Sequence, residues 1–252
     1  MKHQLSIIIP ILNEADNIEN LLNHLFENSS EINIAEIIIV DGGSIDGSQE
    51  ILRAFISSSK SKIVLDTEFS SENFTRTDIK LLTSEKGRAK QMNLGAKLAA
   101  GNILYFLHAD SFPPKHFDTL IINEVNNQNL AGCFKMKFDH NHWWLHVASW
   151  LTHFKWRACR GGDQSQFITK KLFIELNGFN ESFTIYEDND LINKLYAQNE
   201  FVVIQEWITT SARRYNVNGI WKLQYHFWAI YVKKWFGASA EELHDYYLKH
   251  IT

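Results

Sequence analysis

The first hundred residues alternate between two hydrophobic periods. Apolar runs at 5–12 (LSIIIPIL), 35–41 (AEIIIVD), 79–85 (IKLLTSE) and 102–110 (NILYFLHAD) have the length and β-branched content of strands covered on both faces. Between them, residues 14–28 set Ile18, Leu21, Leu22 and Leu25 at helical spacing. Residues 46–56 read as a helix capped by Asp46, and 87–100 as a helix stopped by Gly101. This succession predicts a parallel sheet with right-handed crossovers. Residues 57–78 break the rhythm. They are polar and serine-rich, with a short apolar island at Ile63, Val64 and Leu65, and they read as an inserted surface loop, either structureless or carrying a small edge strand.

Beyond residue 114 the order loosens. The pattern predicts a helix at 114–126, a strand at 131–138, an aromatic helix at 142–156, and a turn, strand and short helix over 161–179. A helix at 186–199 with two acids at its entry, a strand at 201–206, and two aromatic helices at about 219–236 and 239–249 follow.

Composition narrows the class. With 45% hydrophobic residues, 252 residues can bury a sizeable core. A net charge of -4 gives no electrostatic case for nucleic acid as a partner. Two cysteines, Cys133 and Cys159, are too few for a disulfide framework and read as reduced thiols. The N-terminal apolar run is shorter than that of a secretory leader, and no apolar stretch reaches 18 residues, so the expected location is cytoplasmic. All eight tryptophans fall at or after Trp143, so the two halves of the chain have different tasks.

In an open parallel sheet, ligands sit beyond the carboxyl ends of the strands. Three such ends are polar here: Asn13 and Glu14, Asp41, and His108 with Asp110. Asp41 is placed to accept from a base or ribose, and Gly42, Gly43 and Gly47 let the following turn approach a ligand. The turn is not a Walker A loop, because Ser48-Gln49 stands where Lys-Ser/Thr is needed, and no G-x-G-x-x-G occurs. Asp110, at a strand end before Pro113 and Pro114, suits a divalent cation that borrows ligands from phosphate and water. Asp188 lies in the first turn of a helix, where the dipole favours a carboxylate able to take a proton. Arg213 and Arg214 offer forked donors to phosphate.

Together, SIIIPILNE, IIIVDGGSIDGS, GRAKQMNLGA, LYFLHAD, GGDQSQF, YEDNDL and TSARRY resemble, in order, the motifs of family 2 glycosyltransferases of the GT-A fold. They are most similar to a small bacterial subgroup found beside radical-SAM and selenium-related genes. The resemblance implies a mostly parallel central sheet flanked by helices. It divides the chain into a catalytic domain at 1–218 and an aromatic-rich helical extension at 219–252. Within the catalytic domain it implies a nucleotide-binding half at 1–113 and an acceptor half at 114–218. It implies an inverting transfer from a nucleotide-diphosphate-sugar donor to a hydroxyl acceptor, with Mg2+ or Mn2+ as cofactor.

On this resemblance Pro10, Asn13, Glu14, Asp41 and Asp110 cradle the nucleotide, with Arg88 nearby. Asp110 matches the last acid of the D-x-D metal motif, whose first acid is replaced by His108. Asp188 matches the general base, with Glu187 beside it. Arg213 and Arg214 stand where relatives carry the diphosphate arginine, although SARRY lacks the Gln and Trp of that motif. Gly161, Gly162, Asp163 and Gln164 fall on the sugar and acceptor side.

Other readings stay open at this level. A nucleotide-sugar-binding sensor without transfer is one, and nucleotidyl transfer is disfavoured by PILNEAD standing in place of a basic glycine-rich loop. His140, His142 and His146 have zinc-like spacing without a partner acid, and read as wet helix histidines. The helix 221–236, ending in Lys233 and Lys234, reads first as packing over the catalytic domain. Its second reading is peripheral contact with the inner membrane face around a lipid-linked acceptor.

Overall fold

The computed structural model describes residues 2–65 and 78–251. Its strands are β1 (Leu5–Ile11), β2 (Ile34–Asp41), β3 (Asp78–Thr83), β4 (Ile103–Phe106), β5 (Ser111–Phe112), β6 (Ala131–Phe138), β7 (Gln166–Thr169) and β8 (Val202–Thr210). They form one sheet in the order β3-β2-β1-β4-β7-β6-β8-β5. The pairings β3-β2, β2-β1, β1-β4 and β6-β8 are parallel, while β7 runs antiparallel to both its neighbours and β5 to β8. The sheet is therefore mostly parallel, with the predicted β-α-β order concentrated in its first half.

Ten helices accompany the strands among the described residues: α1 (Ala15–Asn28), α2 (Ser48–Leu65), α3 (Arg88–Leu98), α4 (Phe117–Asn126), α5 (Trp143–Leu151), α6 (Lys170–Glu175), α7 (Glu187–Ala197), α8 (Arg213–Asn218), α9 (Ile220–Trp235) and α10 (Ala240–His250). Strand alternation sorts the core into two layers. Ile7, Ile9 and Ile11 of β1 face Ile18, Leu21 and Leu25 of α1, Leu52 of α2, and Phe117 and Ile121 of α4. Ile8 of the same strand faces the other way with Val40, toward Met92 and Ala96 of α3 and Leu191 and Leu195 of α7. A helix–sheet–helix sandwich results, which explains why β1 and β2 read as unbroken apolar runs.

Three boundaries depart from expectation. The run 102–110 is strand only to Phe106. Leu107 N still donates to Ile8 O (3.0 Å), but the chain then turns, with Ser111 N donating to His108 O (3.1 Å). The helix expected to end at 56 runs to Leu65, because no Gly or Pro interrupts it. The expected loop thus loses its first part, and its remaining residues 66–77 lie outside those described. The aromatic helix at 142–156 ends at Leu151, where Thr152 turns its hydroxyl onto Ser149 O (2.6 Å).

A third, smaller apolar cluster joins α9 and α10 to the rest through Leu223, Ile230, Leu243, Ile251 and Phe183. No helix of the described residues is long and apolar enough to cross a membrane.

Candidate active site

The parallel strand ends open onto a crevice whose first wall is the β1 and β2 termini. Gln91, buried on α3, donates through Nε2 to Ile11 O (2.8 Å) and Val40 O (2.7 Å), tying the two ends together. It was not among the residues singled out from sequence, since a lone Gln in a helix gives no signal. A side chain at Gly42 would press on Gln91 at 3.1 Å. Asp41 is fully buried. Its carboxylate accepts from Gly43 N (3.3 Å), Ser44 N (3.1 Å), the Ser44 hydroxyl and Gln49 Nε2. It therefore shapes the glycine turn, and a contact with a base would require one of these bonds to be exchanged. Asn13, in the left-handed region (φ 58°), accepts from Ile45 N at its side-chain oxygen (2.9 Å) and donates its backbone N–H to Ser44 Oγ (2.9 Å). Pro10 lies within β1, one residue before its end. Asp46 receives both Ala15 N (2.9 Å) and Ser48 N (3.0 Å), so it secures the starts of α1 and α2.

The second wall carries the acids. Tyr186, also left-handed (φ 76°), delivers Glu187 and Asp188 into the first turn of α7. A non-glycine aromatic residue in this region stores strain that the surrounding packing must hold. Arg88, at the start of α3, reaches Glu187 Oε1 (3.1 Å) and Asp188 Oδ2 (3.6 Å). Glu187 is 1% exposed, and its Oε2 has no hydrogen-bond partner. Burial, reinforced by the Asp188 charge and only partly offset by Arg88, pushes its pKa up to about 7. Arg88, expected beside the nucleoside, is the counter-ion of the acid pair.

The third wall is the 3-10 turn at 162–164. A methyl on Gly162 would lie 1.9 Å from Asp188 Oδ2 and 3.2 Å from His108 Cε1, so only glycine allows these three to converge. Asp163 is largely exposed, with Oδ1 3.6 Å from His108 Nδ1. Gln164 departs from the sugar-side expectation, because its side chain turns inward. It accepts from Arg160 Nη1 (2.6 Å) and donates to Cys159 O (2.6 Å). Arg160, 2% exposed, also donates to Thr152 O (2.7 Å) and Phe154 O (2.7 Å). It has no carboxylate partner among the described residues; backbone carbonyls absorb its donors and hold the whole 152–164 loop. Sequence reading passed over Arg160, since a single Arg in a loop carries no pattern. Gly161 lies beside the Tyr231 hydroxyl of α9, 3.9 Å from where its Cβ would be.

His108 and Asp110 occupy the turn after β4. The Asp110 carboxylate has no hydrogen-bond or ion-pair partner among the described residues, and it is partly exposed. No group of three or more His, Cys, Asp or Glu there could hold a metal alone. One free carboxylate with an adjacent imidazole fits a hard divalent cation that keeps substrate oxygens and water as its other ligands. The two arginines part ways. Arg213 Nη2 pairs with Glu14 Oε1 (3.3 Å), whereas Arg214 adds, with His108 and Arg88, to the positive field at Asp163. Outside the crevice, His142 caps α5 by accepting from Trp144 N (3.2 Å), and His146 bonds Asn141 (3.0 Å). Cys133 is a buried free thiol.

A mostly parallel sheet with acids, an imidazole and arginines gathered at its carboxyl ends defines the GT-A class of fold. Within it, the chain belongs to glycosyl transferase family 2, whose model matches residues 6–180. Over 108 residues it is 32% identical to glycosyltransferase AglE of Haloferax volcanii, covering 43% of this chain and 31% of AglE. Over 60 residues it is 42% identical to the succinoglycan biosynthesis protein ExoA of Rhizobium meliloti, covering 24% and 18%. The chain thus spans less than a third of either relative. In three dimensions it is similar to the mannosyltransferase PcManGT of Pyrobaculum calidifontis, solved with GDP-Man and Mn2+. That match has a TM-score of 0.67 and 17% identity, covering 98% of this chain and 70% of the other. It is also similar to TarS of S. aureus, solved with UDP, with a TM-score of 0.61 and 17% identity over 83% and 60%.

Proposed function

We propose that this chain transfers a sugar, with inversion, from a nucleotide-diphosphate-sugar to a hydroxyl acceptor. The observation that carries this reading is the contact at Gly162, which sets the turn expected to face the sugar directly against Asp188. Asp188 takes the proton of the acceptor hydroxyl as its oxygen bonds to the anomeric carbon. The bond to the diphosphate oxygen breaks on the opposite face, and the electron pair leaves with the nucleotide diphosphate. Asp188 suits this role better than Glu187, whose carboxyl is buried, half-satisfied by Arg88 and raised to a pKa of about 7.

Asp110 and His108 would hold the divalent cation. When bound, it stabilises the charge growing on the leaving diphosphate. Arg214, exposed and without a carboxylate of its own within pairing distance among the described residues, is the arginine assigned to that diphosphate. Arg213, by contrast, is engaged with Glu14. Asn13 and the turn organised by Asp41 receive the nucleoside, and Asp163 a hydroxyl of the sugar. Arg88 holds both acids by ion pairing in the absence of substrate.

A panel of nucleotide diphosphates and their sugars, each with Mn2+, Mg2+ or chelator, tests the donor site by thermal shift. One nucleotide class should raise the melting temperature in a metal-dependent way, since binding to the folded state stabilises by mass action. No shift across the panel would contradict the donor site.

A further inference from the structure

All eight tryptophans lie in two stretches, 140–162 and 207–240, that contain no Asp or Glu. The same stretches hold eight Lys and Arg, in a chain of 25 basic and 29 acidic side chains, which leaves the remainder at -12. Packing joins the two stretches. Trp143 and Trp144 of α5 meet Trp221 and Trp228 of α9 with ring centroids 5.4 to 5.8 Å apart.

Along α9, Trp221, Tyr225, Trp228, Val232 and Trp235 recur at intervals of four and three residues, so they form one stripe. Each is at least 49% exposed, while Leu223 and Ile230 on the other side are buried. The expectation that this helix simply packs over the catalytic domain therefore holds for one face only. A contiguous aromatic stripe of this length marks an interaction surface.

We propose that the α5–α9 aromatic face docks on an anionic lipid bilayer. Trp and Tyr settle at the bilayer interface, and the exposed Lys222 and Lys233 beside the stripe suit anionic headgroups, whereas Lys234 turns to the buried side over Phe183. No helix of the described residues is apolar and long enough to cross the bilayer, so the contact is peripheral. A second copy is a poorer occupant, because a two-fold contact would set this basic region against itself.

The same helix lines the crevice. Tyr231 accepts from Asn189 Nδ2 of α7 at 3.4 Å and lies beside Gly161. Resting on the transferase reading, docking therefore presents Asp188 to a membrane-borne hydroxyl acceptor.

The test is flotation of the full chain with phosphatidylglycerol–phosphatidylcholine vesicles and with phosphatidylcholine vesicles. No nucleotide sugar is present, so failure here is distinct from failure of the donor site. Roughly tenfold stronger binding to the anionic vesicles is expected, with a blue shift of tryptophan emission and weakening by salt. Combining Trp221→Ser, Trp228→Ser and Trp235→Ser should remove most of that binding. Lys222→Glu, an exposed change that spares the aromatic packing, should weaken it by about fivefold or more. Equal binding to both vesicles, or binding to neither, overturns the proposal. Self-association that shields the tryptophans while leaving vesicles unbound also overturns it, in favour of a second copy.

Discussion

Gly162 shows how much one absent methyl group decides. Its backbone occupies the space that brings Asp188 and His108 together, so Gly162→Ala must push the α7 acid aside or move the turn. Turnover should fall by roughly a hundredfold, the cost of about an ångström of misplacement, with the melting temperature little changed. Unaltered kinetics would separate this turn from the chemistry.

Glu187 makes a second residue-scale prediction. Its folded-state pKa of about 7 lies above the ordinary 4.5, so the folded protein holds a proton that the unfolded chain has released. The stability this group contributes is full below about pH 4.5 and is lost as pH rises toward about 7. Glu187→Gln should flatten that decline in urea-unfolding series between about pH 5 and about pH 7.5; an unchanged slope would assign the decline elsewhere. Asp188 was legible in sequence as an acid in a helix's first turn. Arg88 was named only beside the nucleotide; its pairing with Asp188 was not legible, because the two elements meet across about a hundred residues and no local pattern encodes that meeting. Gln164 misled for the opposite reason: its motif position suggested a ligand contact, and Arg160 claims its side chain instead.

The elements of the first half were the easiest to anticipate, because β1 and β2 are unbroken apolar runs and α1 displays a clean helical period. Their common end of the sheet also hides a buried acid. Glu36, 2% exposed, accepts from Lys80 Nζ, the Ser6 hydroxyl and Ala100 N (2.7 Å), and so pins β1, β2, β3 and the exit of α3. Burial raises its pKa, but these donors more than compensate and hold it below the ordinary carboxylate value. This contribution is present above about pH 4.5 and lost on acidification through the folded-state pKa. Glu36→Ala should cost roughly 2 kcal/mol in denaturant unfolding, since the buried Ser6 hydroxyl, the Ala100 N–H and the Lys80 ammonium all lose their acceptor. A change within a few tenths would show that water replaces the carboxylate. Boundaries were harder to read where a tertiary contact overrides the local pattern. β4 ends at Phe106, opposite Gln166 where its antiparallel partner β7 begins, and β8 runs four residues past its expected end because β6 and β5 offer it partners.

At the scale of the whole molecule, a sheet that begins parallel and ends mixed brings distant segments to one crevice. Asn13 and Asp41 arrive from the first two strands, His108 and Asp110 from β4. Gly162 and Asp163 come from the loop before β7, Glu187 and Asp188 from α7, and Arg213 and Arg214 from α8. The ordered motifs made this set legible as a group, while its pairings required the fold. α9 then sets an aromatic, basic face beside the same crevice, joining the proposed chemistry to a surface on which an acceptor could be held. The most direct test of the account is product formation by Asp188→Asn, measured alongside its thermal shift with the donor found in the nucleotide panel. The account predicts a donor-induced shift like that of the unaltered chain, with turnover reduced by about a hundredfold to ten-thousandfold, the range expected for a lost general base. Near-normal turnover with the donor bound would contradict it.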